Sequence, residues 1–256
     1  MAAIAGSIYL ASTILFGLLA GVIGMRLVLL SRRTGGRPEL LLGLGVQLTA
    51  CWGYMVMMLA IVARSAMGGH DHPLLTAASI FGWVAHDVGV VCVLLFIRRV
   101  FRPDAAWAGP VTWIFAAMLA VGFTGNLVTG VLFTGVQNLW YWIGFVPIGS
   151  YPLWMSAESI AYGRQMKRRL ALGLADPMVA DRFRIWAFAS ACTAGAIWIV
   201  NVPAWLGASL ADGSAITASA MVVTAGFGIA TVCLYWLTFF PPAWYRRRVE
   251  ARAASA

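Results

Sequence analysis

The chain has 256 residues, 61% of them hydrophobic and 11% charged, with a mean hydropathy of +0.84 and a net charge of +9. Soluble domains run to about 45–50% apolar and about 25% charged residues, so a soluble enzyme, a disulfide-stapled secreted domain and a disordered chain are excluded. A spanning helix takes about 20 residues plus its connections, which leaves room for about seven spans and little else.

The first apolar stretch covers 5–30. It lacks the basic leader and small-residue cleavage site of a signal peptide, and its arginines follow it, so it is expected to stay as a spanning helix. Gly17 and Gly21 in it form a small-xxx-small pair suited to close packing. The second stretch, 39–66, carries Gln47 and Cys51 as polar positions. The third, 74–100, holds Trp83, His86 and Asp87 near its middle, with Ser79, Gly82, His86 and Gly89 on one stripe. The fourth, 109–133, carries Asn126. The fifth, 137–165, contains Glu158 and is punctuated by Pro147 and Pro152; Trp140, Tyr141 and Trp142 at its start fit an interfacial aromatic belt. The sixth, 181–209, carries Trp198, Asn201 and Pro203, and the seventh covers 215–243. Bends are expected where the prolines remove backbone donors. None of these stretches alternates with the two-residue period of a barrel strand. The expected fold class is all-α: a single domain, 1–256, of seven transmembrane helices.

Charge sets the expected orientation. Of the 18 basic residues, 17 fall after the first span, after the third, between the fifth and sixth, or after the seventh; only Arg64 lies on the other side. The positive-inside rule then puts the N-terminus outside and the C-terminus in the cytoplasm. The same asymmetry accounts for the net charge, so no nucleic-acid partner is expected; anionic lipid headgroups are the natural counter-charge. All four cysteines lie within spans, so no external disulfide is expected. Seventeen arginines against one lysine suggest a high-GC bacterial genome and the inner membrane.

The fifth helix is expected to run on to about Leu172, with Gly173 as its left-handed terminator, and Asp176 with Pro177 to open the next helix. That hairpin would protrude from the basic side, either to lie on headgroups or to dock a cytoplasmic partner. The first–second junction (Arg32, Arg33, Gly36, Pro38, Glu39) echoes it faintly, as a three-plus-one-plus-three repeat would. Ser31 to Leu44, Phe101-Arg102-Pro103, Leu172 to Pro177 and Asp181-Arg182-Phe183 resemble stretches of a family of bacterial seven-helix membrane proteins with no assigned activity. The resemblance touches about a fifth of the chain and implies the same topology, with no activity, cofactor or site.

Ionisable groups inside a membrane are costly and usually face a bundle interior or a wet cavity. His86, Asp87 and Glu158 are such groups, and with Asn126, Asn201, Gln47, Trp83 and Trp198 they form the candidate set for a ligand or proton site. Neighbours on one helix diverge, so Asp87 is expected to find partners on other helices rather than in His86. The structural alternative is a hydrogen-bonded cluster that only fixes helix register. Other chemistries fail on their residues. The single lysine, Lys167, lies outside the spans, which excludes a retinal Schiff base. One buried histidine cannot make a bis-histidine haem or a three-histidine zinc site. His70-Asp71-His72 reads as an exposed loop before a surface metal site. No catalytic or metal residue and no cofactor is assigned.

Three function classes remain. A receptor-like or sensory module, with a small-molecule or lipid ligand and a separate signalling partner, ranks first. A small solute or proton-coupled transporter is second. An intramembrane protein handling a lipid, quinone or carotenoid is third, because no nucleophile–base pair is evident.

Overall fold

The computed structural model describes residues 2–68, 72–130, 132, 137–208 and 214–254. Helices dominate and no strand occurs among the described residues. In chain order they are α1 (Ala2–Thr34), α2 (Arg37–Ala66), α3 (Pro73–Phe101), α4 (Ala108–Val128), α5 (Leu139–Ala171), α6 (Pro177–Ile199), α7 (Ala215–Phe239) and α8 (Ala243–Ala254). A single turn of helix, Val202–Trp205, follows α6.

Five of these, α1 to α4 and α7, are long and apolar enough to cross a membrane. This is the make-up of a helical membrane protein. By composition rather than length, α5 and α6 fall short: Trp, Tyr, Pro and Ser dilute α5, and α6 opens with Asp181, Arg182 and Arg184. Large apolar side chains cover the outside of the bundle, among them Leu18, Trp113 and Phe188, each more than half exposed. Such an inside-out surface is compatible with contact to a bilayer.

Local chemistry sets the helix ends. Asp176 accepts from the backbone N–H groups of Met178 (2.6 Å) and Val179 (3.3 Å) and Pro177 takes the first helical position, so α6 starts where its orphan donors are satisfied. Three residues before Asp176, α5 is terminated by Gly173 at φ +70°, whose left-handed conformation lets Leu174 N–H reach Arg169 O at 2.9 Å. The 33 residues of α5 make a rod of about 50 Å, longer than a bilayer core. Three helices are shorter than their spans. α4 closes at Gly130 (φ +69°) instead of running to 133, and α7 ends at Phe239, ahead of Pro241 and Pro242, instead of running to 243. α6 stops at Ile199 because Pro203 cannot continue it; the chain breaks rather than bends there. Pro147 and Pro152 stay inside a continuous α5.

Small residues let the helices close up. A Cβ at Gly89 would lie 2.5 Å from Thr49 N of α2, and one at Gly53 would lie 2.7 Å from His86 Cα. The stripe carrying Gly82, His86 and Gly89 is therefore the α2–α3 seam. Gly17 and Gly21 of α1 face Met55 and Cys51 of α2 in the same way. Within α2, residues Gln47–Met55 are wound as a π-helix. Five residues on an α-helix turn through 500°, leaving Thr49 and Tyr54 140° apart, whereas i→i+5 winding brings them to one face.

The bundle has two distinct ends. At the arginine-rich end Ile23, Leu27, Leu42, Val93, Phe96, Ile97 and Met155 form one buried cluster. Around it Phe96 meets Phe101 and Trp186 edge-on, and Phe101 meets Tyr162 and Phe183. Arg26 lies over the Phe240 ring at 4.2 Å, joining α1 to the end of α7. Asp181 of α6 pairs with Arg184 at 2.5 Å and accepts a short hydrogen bond from Tyr245, which docks α8. Burial and the Asp181 carboxylate together hold the Tyr245 phenol above its ordinary pKa.

Candidate functional site

At the opposite end, where α1 begins, the helices part around a cavity of about 190 Å³. Each of the seven long helices contributes to its wall. Tyr9, Thr13 and Phe16 come from α1, Thr49 and Tyr54 from α2, and Trp83, His86 and Asp87 from α3. Phe123 and Asn126 of α4, Tyr141 and Phe145 of α5, Asn201 just beyond α6, and Thr224 and Gly228 of α7 complete it. A smaller void of about 50 Å³ shares Phe16, Thr49, Ala50, Tyr151 and Thr193 with it and extends toward the arginine-rich end. There Ile23, Leu42, Val93 and Met155 close it off.

Most of the polar wall groups are tied to one another. The Tyr9 and Tyr54 hydroxyls share a short hydrogen bond between α1 and α2. Asn201 Oδ1 accepts from Tyr141 Oη at 2.5 Å and from Gln137 Nε2 at 2.9 Å, while its own amide donates to Ile197 O at 2.8 Å. The break after α6 is thus what frees Asn201 to hold the start of α5. Asn126 Nδ2 donates to Gly122 O at 2.9 Å, leaving its carbonyl oxygen for the cavity. Two groups are less well served. The Thr224 hydroxyl is buried without a partner among the described residues. Asp87, with its side chain 15% exposed, makes one long contact, 3.4 Å from Oδ1 to His86 Nδ1.

Five of the eight residues singled out by sequence therefore line one cavity: Trp83, His86, Asp87, Asn126 and Asn201. The other three lie elsewhere. Glu158 is buried near the arginine-rich end, accepting from Arg102 Nε at 2.8 Å and Trp154 Nε1 at 3.0 Å. That hydrogen-bonded charge holds the Arg102 guanidinium above its ordinary pKa. Glu158 joins the end of α3 to α5; its spacing on a spanning helix gave no sign of an arginine 56 residues away. Gln47 donates to Gly21 O at 3.3 Å in the α1–α2 seam. Trp198 donates to Gly149 O at 3.1 Å and packs on Phe145. The carbonyl that Pro152 deprives of its helical donor is that of Ile148, next to Gly149, so Trp198 ties α6 to α5 beside the proline rather than replacing the missing bond.

The expected cross-helix partners of Asp87 are absent among the described residues; its contact is with its own neighbour, His86. Tyr141 also departs from expectation. Its hydroxyl faces inward to Asn201, Trp140 packs over Gly125 of α4, and Trp142 stacks on Trp205 at 6.0 Å between ring centres. These aromatics line and brace the bundle rather than forming a lipid belt. Sequence reasoning missed Tyr9 and Tyr54, whose signal was a phenol well inside an apolar span, away from either interface. In the His70-Asp71-His72 motif, His70 and Asp71 lie outside the described residues, and His72 caps α3 by accepting from Leu74 N–H at 3.2 Å. No cluster of three metal-ligating side chains occurs among the described residues.

No family model, curated protein or solved structure matches this chain, so its own residues carry the functional argument.

Proposed function

We propose that the chain is a seven-helix bacterial inner-membrane protein, N-terminus outside, that receives a small ligand from the external side and signals through a separate cytoplasmic protein. The observation that carries this reading is the cavity, to which all seven long helices contribute. A ligand seated there touches every helix, so it is placed to shift their relative positions. The cavity is blind toward the arginine-rich end, which suits a receptor better than a conduit. The α5–α6 hairpin projects at that end and offers a docking element for the partner. Transport of a small solute is the second reading. The 50 Å³ void in line beneath the cavity supports it, since alternating access would need to open that plug.

Orientation is tested by reporter fusions. Asp104 and Ala175 should read as cytoplasmic, and Gly69 and Thr134 as external; the reverse would place the cavity on the cytoplasmic side and end the receptor reading. Ligand capture is tested by native mass spectrometry of gently extracted protein, wild type against Gly228→Leu. A Cβ at Gly228 meets nothing within 4 Å, so leucine there fills cavity space. A small molecule retained by wild type and lost from the variant supports the receptor reading. Substrate-driven uptake into proteoliposomes would replace it with the carrier.

A further inference from the structure

The polar groups of the cavity are unevenly spent, and the imbalance points to a class of ligand. Among its wall residues there is one carboxylate, Asp87, and neither an arginine nor a lysine. The chain's cations lie elsewhere. Arg64, the one basic residue at this end, is outside the wall and donates to Thr76 Oγ1 at 3.2 Å. At the far end Arg102 pairs with Glu158, Arg184 with Asp181, and Arg26 lies on Phe240. Asp87 can accept about four hydrogen bonds when ionised, and it has one contact, at 3.4 Å, to a ring adjacent in sequence. A carboxylate left in an apolar cavity is expensive unless a proton or a cation joins it. Other unspent atoms include the Asn126 carbonyl oxygen, an acceptor, and the partnerless Thr224 hydroxyl, which can accept or donate. Several donors are used: Tyr141 and Gln137 donate to Asn201, Asn126 and Asn201 donate to backbone carbonyls, and the Tyr9–Tyr54 bond takes one of its two hydroxyl protons, while the Trp83 indole and the Tyr151 hydroxyl on the wall stay available. A carboxylate with no arginine or lysine on the same wall calls for a ligand that brings a positively charged N–H donor. Around it stand the aromatic faces of Phe16, Trp83, Phe123 and Phe145, which attract a cation and accommodate an apolar body.

We propose that the cavity takes a small organic ammonium, a protonated amine on an aliphatic or aromatic body, with Asp87 as its counter-ion. The inference rests on the reading of the cavity as a ligand site. An anion is disfavoured there by the carboxylate, and a neutral ligand brings Asp87 no counter-charge. His86 is the one other titratable side chain in direct contact with Asp87, and it is a positioning residue that holds the carboxylate's orientation.

The test uses the full chain in lipid nanodiscs and three probes of similar shape: phenethylamine, phenethyl alcohol and phenylacetate. Saturable quenching of tryptophan fluorescence and thermal stabilisation are the readouts. Phenethylamine should bind at least about 30-fold more tightly than the alcohol, and phenylacetate should not bind, in keeping with the loss expected when one partner of a buried charge pair is missing. Asp87→Asn should erase the preference by weakening the amine alone. The wild-type comparison stands even where that variant fails to fold. If the alcohol binds as tightly as the amine and Gly228→Leu abolishes both, the cavity is a ligand site and the ammonium assignment is wrong. If none of the probes saturates and Gly228→Leu changes nothing, the ligand-site reading falls together with the assignment.

Discussion

The two halves of the bundle differ in how they fill space and where they place charge. At the arginine-rich end Glu158 is paired with Arg102 across helices, Asp181 with Arg184 on its own helix and with Tyr245 of α8, and the space between them is filled by aliphatic and aromatic side chains. At the end where α1 begins, the same seven helices enclose a void, and an aspartate and a threonine hydroxyl face it without a cross-helix partner. Buried polar atoms without a partner among the described residues occur at both ends, with Glu39 Oε2, Ser159 Oγ and Trp186 Nε1 at the arginine-rich one. The difference therefore lies in space and charge: the first half is filled, and the second encloses a cavity with Asp87 on its wall. Four predictions break or sharpen the contrast.

The largest effect is expected at the α2–α3 seam that supports both halves. Gly89→Ala puts a methyl 2.5 Å from Thr49 N, a backbone atom that cannot swing aside, so the helices must separate. Overpacking of this kind costs about 1–3 kcal/mol, and the expected result is at the upper end, seen as a marked drop in melting temperature in detergent. An unchanged melting temperature would mean that the seam is looser than its geometry.

Next comes the ion pair. Arg102→Ala leaves Glu158 buried with only Trp154 as donor, and leaving a buried acceptor under-satisfied costs about 1–3 kcal/mol. The half-exposed position of Arg102 moderates the loss. Glu158→Gln keeps an acceptor for Trp154 and removes the charge, so it should cost less than Arg102→Ala. The reverse order would place the ion pair, rather than its desolvated carboxylate, at the centre of the energetics.

A smaller effect is confined to α8. The Tyr245 phenol is held above its ordinary pKa near 10 by burial and by Asp181, so its contribution to docking is complete below pH 10 and is lost as pH rises through the higher, docked value. Fluorescence of the neighbouring Trp244 should report α8 detaching in that alkaline range while the rest of the bundle holds. Tyr245→Phe should remove the transition, and a transition that persists in it would assign the change to another group.

Much of this was legible in the chain. Hydropathy and the asymmetric arginines mark the apolar helices and their basic ends, and Asp176-Pro177 and Gly173 fix the α5–α6 turn because capping chemistry is local. Proximity in the third dimension was not legible. Asp87 and Asn126 are recognisable as polar groups in apolar spans, but nothing in the sequence separates them from Glu158, whose partner Arg102 sits at the end of another helix. Nor does any proline signature announce the π-wound turns of α2, which lie where that helix packs between α1 and α3. Tyr141 looked interfacial since its neighbours are tryptophans; only the break at Pro203, which brings Asn201 round to its hydroxyl, turns it inward.

The smallest expected effect is the most discriminating. Gly228 of α7 lines the cavity, and a Cβ there meets nothing within 4 Å. Glycine inside a helix costs about 0.5–1 kcal/mol relative to alanine through backbone entropy, and that term is common to Gly228→Ala and Gly89→Ala. Subtracting one from the other therefore isolates packing. With a hollow wall at Gly228, the alanine variant should match or slightly exceed wild type in melting temperature, against the loss at Gly89. Were Gly228→Ala to fall with it, side chains would have to fill that space, and the contrast between a packed half and an open half would disappear. Were it stable but unable to retain the small molecule captured by wild type, a single methyl would mark Gly228 as part of the surface the ligand touches.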